Sequence, residues 1–325
     1  MPETAAELLD PASAGDYLGG LGLFPAGEHL EVESLGGGVS NVVLLAAGGG
    51  RRVVVKQSLP RLRVAEEWLA TRERILTEAA SLELTRRLAP GSAPLVLHVD
   101  ADSYVIVIEA APAGWGTWKD DLLAGRAEES VAAELGTLLA TVHEGTRGSA
   151  EVRERFAGDE AFEQLRVDPY YRTTAARHPE LAPRIEATID AMLAHRECLV
   201  HADFSPKNVL VGEDGLWLID HECAHVGDPA FDVAFLLNHL LLKAIHRPED
   251  AGAYRACAAA FLAAYGAAPP GTVAHLGCLL LARVDGKSPA EYLDEPGRTT
   301  ARALAARVIV AADELSPLDP WEDIR

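Results

Sequence analysis

Three short runs open the readable part of the chain: Glu31-Val32-Glu33-Ser34-Leu35, Val42-Val43-Leu44-Leu45 and Arg52-Val53-Val54-Val55-Lys56, the last two separated by Gly48-Gly49-Gly50. Aliphatic and β-branched runs set apart by glycine clusters predict twisted antiparallel strands with tight turns. From Glu66 to Leu88 the period becomes helical, with Ile75, Ala79 and Leu82 on one face and a stop before Pro90-Gly91. Leu95–Val99 and Ser103–Ile108 predict two further strands, and the small residues from Glu109 to Gly114 suit a linker. Beyond it, apolar stripes at Val131, Leu135, Leu138 and Val142, and at Ile185, Ile189 and Met192-Leu193, predict helices. A β island from Cys198 to Asp220 interrupts them, and Phe231 to about Leu315 again reads as helical. The order predicts an α+β chain of two lobes: residues 1–110 with an antiparallel sheet and one long helix, and a larger, mainly helical lobe over 111–325.

A chain of 325 residues that is 49% apolar can bury a core of that size. The formal charge of −20 argues against a nucleic-acid partner, which requires a basic surface, and leans toward a cationic ligand. The longest apolar candidate, Phe235–Ile245, is interrupted by Asn238, His239 and Lys243 and falls short of the roughly 18 residues of a membrane span. Glu3, Glu7 and Asp10 stand where a secretory signal would be basic, so a cytoplasmic location is expected. Cys198, Cys223, Cys257 and Cys278 lack the spacing of a zinc site and read as buried thiols.

The chemistry is concentrated in the β island. Leu199-Val200-His201-Ala202-Asp203-Phe204-Ser205-Pro206-Lys207-Asn208-Val209-Leu210-Val211 is followed, after Gly212-Glu213-Asp214-Gly215, by Leu216-Trp217-Leu218-Ile219-Asp220. Two apolar strands bracket a polar loop, and a third ends in an acid. Phosphoryl transfer needs one carboxylate for the incoming hydroxyl, and an amide with a second carboxylate for Mg²⁺ on the phosphates. Asp203, Asn208 and Asp220 supply these three groups; the alternative is that Asp203 and Asn208 only cap turns.

This loop resembles that of the aminoglycoside phosphotransferase, choline kinase and methylthioribose kinase superfamily, His-x-Asp-x-x-x-x-Asn with an Ile-Asp downstream. The resemblance implies a protein-kinase-like fold, an ATP-dependent kinase (GTP being the alternative donor), Mg²⁺ and a small-molecule hydroxyl acceptor. It makes Asp203 the catalytic carboxylate, His201 the histidine that stabilises the loop, Asn208 and Asp220 metal ligands, and Glu222 a second acid. Leu35-Gly36-Gly37-Gly38-Val39-Ser40-Asn41 reads as a turn whose backbone approaches phosphate, with Gly37, Gly38, Ser40 and Asn41 against the nucleotide. Lys56 matches the lysine on the α- and β-phosphates, with Glu78 preferred over Glu73 as its partner; the alternatives are a solubilising lysine and a solvated acidic face. Glu109 and Ala111 align with the hinge that meets the adenine edge.

Gly227-Asp228-Pro229-Ala230-Phe231-Asp232 matches a run after the metal acid, in which Asp232 accepts from the loop backbone and Asp228 caps a helix. Trp118-Lys119 and Asp120-Asp121 look similar to methylthioribose kinases. Substrate choice is expected near Arg283, Lys287 and Tyr292, where two cations suit an anionic or strongly polar acceptor; the alternative is a polar turn between helices. Two rival functions remain: a protein kinase, opposed by the absence of Asp-Phe-Gly and Ala-Pro-Glu triplets, and a non-catalytic nucleotide-binding or interaction protein.

Overall fold

The structure, a computed structural model, describes residues 8–36, 39–63 and 68–324. It divides into two compact units, Met1–Ala113 and Gly114–Arg325.

In the first unit, five strands form one antiparallel sheet among the described residues: β1 (Glu31–Ser34), β2 (Asn41–Gly48), β3 (Arg51–Ser58), β4 (Val96–Asp100) and β5 (Val105–Glu109), in the order β1-β2-β3-β5-β4. Side chains alternate across a strand, and the sequence uses both faces. Val53 and Val55 of β3, with Val105 and Val107 of β5, join Ala14 and Leu18 of helix α1 (Pro11–Gly20) in one core. Val54, Ile106 and Ile108 point the other way, onto Ile75, Ala79 and Leu82 of helix α2 (Arg74–Leu88). Each fully buried valine or isoleucine contributes about 1.5–3 kcal/mol of transfer free energy, so both helices are fixed to the sheet by its period-two pattern.

Helix α2 begins at Arg74, eight residues later than the sequence pattern suggests. The reason lies just upstream: the Leu62 N–H donates to the Trp68 carbonyl at 2.8 Å and Ala70 N–H to that of Pro60 at 3.4 Å, so residues 68–70 fold back on residues 60–62. Arg74 itself is 1% exposed and donates to the carbonyls of Ser40, Leu59, Ala70 and Thr71. One buried guanidinium thereby ties the helix start to the beginning of β2.

The second unit is mainly helical. Its elements are β6 (Gly116–Thr117), α3 (Trp118–Leu123), α4 (Glu129–Thr146), α5 (Ala150–Arg155), α6 (Glu160–Phe162) leading into a π-helical segment (Glu163–Arg172), α7 (Thr173–Arg177), α8 (Ala182–Ala194), β7 (Cys198–Val200), β8 (Val209–Gly212), β9 (Gly215–Leu218), β10 (His225–Gly227), α9 (Pro229–His246), α10 (Ala251–Tyr265), α11 (Thr272–Asp285) and α12 (Glu295–Val310). The β island forms two small antiparallel sheets, β6-β8-β9 and β7-β10. Helix α9 is buried from Pro229 to Ile245, the mark of a helix at the centre of a core. Asn238, His239 and Lys243, read from sequence as interruptions of an apolar run, lie inside that core. No helix among the described residues is long and apolar enough to cross a membrane. All four cysteines are free and buried.

Helices α4 and α10 approach closely at Gly136, where a β-carbon would collide with the Phe261 carbonyl oxygen and stand 3.0 Å from the Tyr265 nitrogen. A mid-helix glycine costs about 1 kcal/mol relative to alanine, and here close packing requires it. We expect Gly136→Ala to destabilise the chain by about 1–3 kcal/mol, seen as a Tm several degrees lower; an unchanged Tm would show that α10 moves away freely.

Candidate active site

The polar loop between β7 and β8 is held by its own neighbours. Asp232, in the first turn of α9 and 0% exposed, accepts from the backbone N–H groups of His201 at 2.7 Å and Ala202 at 2.8 Å. His143 stands 3.3 Å from the same carboxylate, and its other ring nitrogen is 3.0 Å from the Tyr265 hydroxyl. Asp228 caps α9 through the Ala230 N–H at 2.9 Å. Both residues do what their place in the sequence suggests. Ala202 sits in the left-handed region at φ 63°, a conformation that costs a non-glycine residue energy unless its surroundings enforce it; the Asp232 carboxylate does so.

His201 is buried, receives the Asp203 N–H on Nδ1 at 3.1 Å and donates Nε2–H to the Ile219 carbonyl at 3.2 Å. Accepting on one nitrogen requires the neutral ring, and burial lowers its pKa accordingly. It therefore stitches the loop to the strand end that precedes Asp220.

Asp203 is 2% exposed, and its Oδ2 collects three donors: Arg166 Nη2 at 2.9 Å, Lys207 Nζ at 2.9 Å and Asn208 Nδ2 at 2.8 Å. Among the described residues no hydrogen bond reaches Oδ1. Burial alone would raise its pKa; Arg166 and Lys207 outweigh that and hold the carboxyl below the usual aspartate range. Arg166 also donates to the Ala202 carbonyl at 2.8 Å and lies in the π-helical segment, where apolar periodicity offers no signal for it. Sequence reasoning missed this residue.

Asn208 donates from its amide nitrogen to Asp203, which turns its carbonyl oxygen away from that carboxylate. The Ile219 N–H donates to the Asn208 backbone carbonyl at 2.9 Å, bringing the end of β9 to the loop. Asp220 follows at φ 68°, like Ala202 in the left-handed region, and its charge is felt at Asp203. Glu222 is 5% exposed, and its charge is felt at Arg166. Asp220 and Asn208 offer oxygen donors of the kind Mg²⁺ takes, since it binds through one or two carboxylates together with substrate phosphates. Among the described residues no three His, Cys, Asp or Glu side chains cluster as a metal site.

In the first unit, Lys56 lies inside β3 rather than at its end and pairs with Glu78 of α2 at 2.5 Å, both residues buried. Glu73 is engaged by Thr71 and Tyr104 instead. Ser40 and Asn41 are buried at the start of β2, joined by an Asn41 Nδ2 to Ser40 Oγ bond of 3.2 Å; Gly37 and Gly38 lie outside the described residues. Glu109 ends β5, and the Ala111 carbonyl accepts from Arg52 Nη1 at 3.2 Å.

The segment that stood out after Leu276 separates into two parts. Lys287 pairs with Asp168 at 2.8 Å, and Asp285 is held by Arg302 at 2.7 and 2.8 Å; both are surface contacts that tie the turn down. Arg283 lies within α11, not on the turn, and donates to Ser288 Oγ at 2.8 Å and to the Tyr170 hydroxyl at 3.3 Å. The Tyr292 ring faces Lys243 of α9, whose Nζ is 5.3 Å from the ring centre. Lys243 carried no signal in the sequence beyond breaking an apolar run.

The chain belongs to the phosphotransferase enzyme family, whose pattern matches residues 31–276. The methylthioribose kinase of Yersinia pseudotuberculosis serotype O:3 (strain YPIII) is 28% identical over 227 residues, 62% of this chain and 55% of that one, and the chain spans about half the length of the curated relatives it matches. Choline kinase from Cryptosporidium parvum Iowa II superposes with a TM-score of 0.55 at 11% identity, covering 96% of this chain and 98% of that one. Amicoumacin kinase, solved with AMP-PNP, Ca²⁺ and Ami, gives a TM-score of 0.54 at 16% identity over 90% and 92%. The fold is the protein-kinase-like fold of these small-molecule kinases.

In Asp232→Asn the amide can satisfy one of the two backbone donors only, and its NH₂ group opposes the other. Hydrogen bonds to a charged partner are each worth about 1.5–3 kcal/mol, so we expect a loss of roughly 2–4 kcal/mol in urea unfolding. A loss below about 0.5 kcal/mol would show that the loop does not depend on this carboxylate.

Proposed function

We propose that the protein is a small-molecule kinase that uses ATP and Mg²⁺ to phosphorylate a hydroxyl group of a small metabolite or antibiotic. The observation that carries this reading is the asymmetry of Asp203: three donors fix Oδ2, while Oδ1 receives none from the described residues. That oxygen is suited to accept the hydrogen of an acceptor hydroxyl. The hydroxyl oxygen forms the new bond to the γ-phosphorus as the bond to the β-phosphate bridging oxygen breaks, and ADP leaves with that electron pair. Held low by its cations, Asp203 is a weak base, so its first task is to orient the hydroxyl; it takes the proton as the oxygen becomes acidic on bonding to phosphorus.

Asp220 and Asn208 would hold Mg²⁺, which when bound neutralises charge on the β- and γ-phosphates. Lys56, oriented by Glu78, would steady the triphosphate, and backbone groups around Ser40 and Asn41 would approach it. His201 and Asp232 act through the loop, setting the direction of Asp203 without touching substrate. A detoxifying and a metabolic kinase would share all of these features, because one loop serves many acceptors.

The test is ADP release with Mg²⁺-ATP against sugars, amino alcohols, methylthioribose, aminoglycosides and hydroxy acids. We expect Asp203→Ala to lower kcat by about 10²- to 10⁴-fold with the ATP KM little changed. Near-normal turnover in that variant would remove Asp203 from the mechanism.

A further inference from the structure

Lys243 is 1% exposed in the middle of the second unit, yet among the described residues no carboxylate pairs with it. Its Nζ makes one hydrogen bond, a long one of 3.3 Å to the His239 carbonyl one turn back, and stands over the Tyr292 ring. Burial, with Arg283 and Lys119 adding to it, pulls its pKa down to about 7, so the neighbours that act on this ammonium are themselves cations. His239, one turn back on α9, is depressed first by burial and then by Lys243 and Arg283, so its neighbourhood is also basic. Two further polar atoms beside them, Arg283 Nε and the Tyr292 hydroxyl, are buried without a hydrogen bond. A buried charge is ordinarily paired, and leaving Lys243 without a carboxylate beside two buried donors without acceptors opposes folding. In a chain of net charge −20, such a concentration is not a by-product of composition.

The cluster also adjoins the reacting carboxylate. Arg283 Nη1 donates to the Tyr170 hydroxyl at 3.3 Å, the Arg166 guanidinium lies 5.8 Å from the Tyr170 ring centre, and Arg166 holds Asp203 at 2.9 Å. One small molecule could therefore place a hydroxyl at Asp203 and an anionic group among the cations.

We propose that Lys243 and Arg283 seat an anionic group of the acceptor, so that the compound phosphorylated is a hydroxyl compound already bearing a carboxylate or a phosphate ester. This rests on the kinase reading and narrows its substrate class. It reverses the cationic ligand suggested by net charge, and it replaces Lys287, which Asp168 engages, with Lys243. The anion would supply the opposite charge that Lys243 and Arg283 lack, and Arg283 Nε and the Tyr292 hydroxyl would donate to it.

The test begins with protein saturated with Mg²⁺ and AMP-PNP and titrated with sodium sulfate at constant ionic strength while Tm is recorded. A saturable rise is expected for the native chain and its loss in Lys243→Met, a change that removes an unpaired buried charge and so favours the folded state. No rise, or the same rise in both proteins, overturns the proposal. AMP-PNP binding without a sulfate response overturns the anion seat alone, whereas failure to bind AMP-PNP overturns the kinase reading beneath it. In turnover, matched sets of hydroxy acids, phosphorylated polyols, neutral sugars and amino alcohols are compared by ADP release. One of the two anionic sets should have the highest kcat/KM, identifying the anion, and Lys243→Met and Arg283→Met should each raise the acceptor KM at least tenfold without raising the ATP KM. Preference for a neutral or cationic set, or a rise in the ATP KM instead, overturns it.

Discussion

Asp232 carries a charge at a position with no access to solvent and directs both of its oxygens to backbone N–H groups of the catalytic loop. Burying a carboxylate is costly unless donors surround it, and one of these donors is Ala202, which must adopt an unusual conformation. The exchange benefits both sides: α9 gains a partner for its buried acid, and Ala202 is held at a positive φ that the chain would otherwise avoid. From Ala202 the loop delivers Asp203 toward Arg166, Lys207 and Asn208, and His201 ties the same loop to the strand end before Asp220. The placement of the reacting groups therefore depends on the first turn of the most buried helix in the second unit.

The electrostatics of that unit show a division of labour among cations. Arg166 and Lys207 are matched to Asp203 and keep it ionised. Lys243, one turn along α9 from His239, has no such match, and neither do the inward-facing atoms of Arg283 and Tyr292. In the proposed reaction the paired cations would prepare the carboxylate for the hydroxyl, and Lys243 and Arg283 would be available to an anion.

Much of the fold is legible in local pattern. Val53, Val54 and Val55 announce a strand buried on both faces, and the period-two split onto α1 and α2 is what the structure shows. The stripe of Ile75, Ala79 and Leu82 carries Glu78 to the inner side of α2, facing Lys56. Asp203, Asn208 and Asp220 are recognisable because short apolar strands bracket them at fixed spacing, and Asp232 because it opens a helix next to them. Arg166 and Lys243 are not recognisable in this way. Arg166 lies in a π-helical segment whose register no 3.6-residue stripe describes, and Lys243 reads as a break in an apolar run until α11 and Tyr292 are packed around it. Arg74 reads from sequence as a candidate for a solvated face yet is buried, since a guanidinium that ties down four carbonyls is defined by tertiary contacts alone. Positions that depend on one element were readable, and positions that depend on several were not.

The central claim is that a phosphoryl group passes from ATP to the hydroxyl oriented by Asp203. The most direct measurement is ³¹P NMR of the protein turning over Mg²⁺-ATP with a pool of small hydroxyl compounds, followed by separation of the low-molecular-weight fraction. The account predicts loss of the γ-phosphate resonance with a matching phosphomonoester in that fraction, absent with Asp203→Ala. Release of inorganic phosphate alone, or a product signal that persists undiminished in the variant, would contradict it.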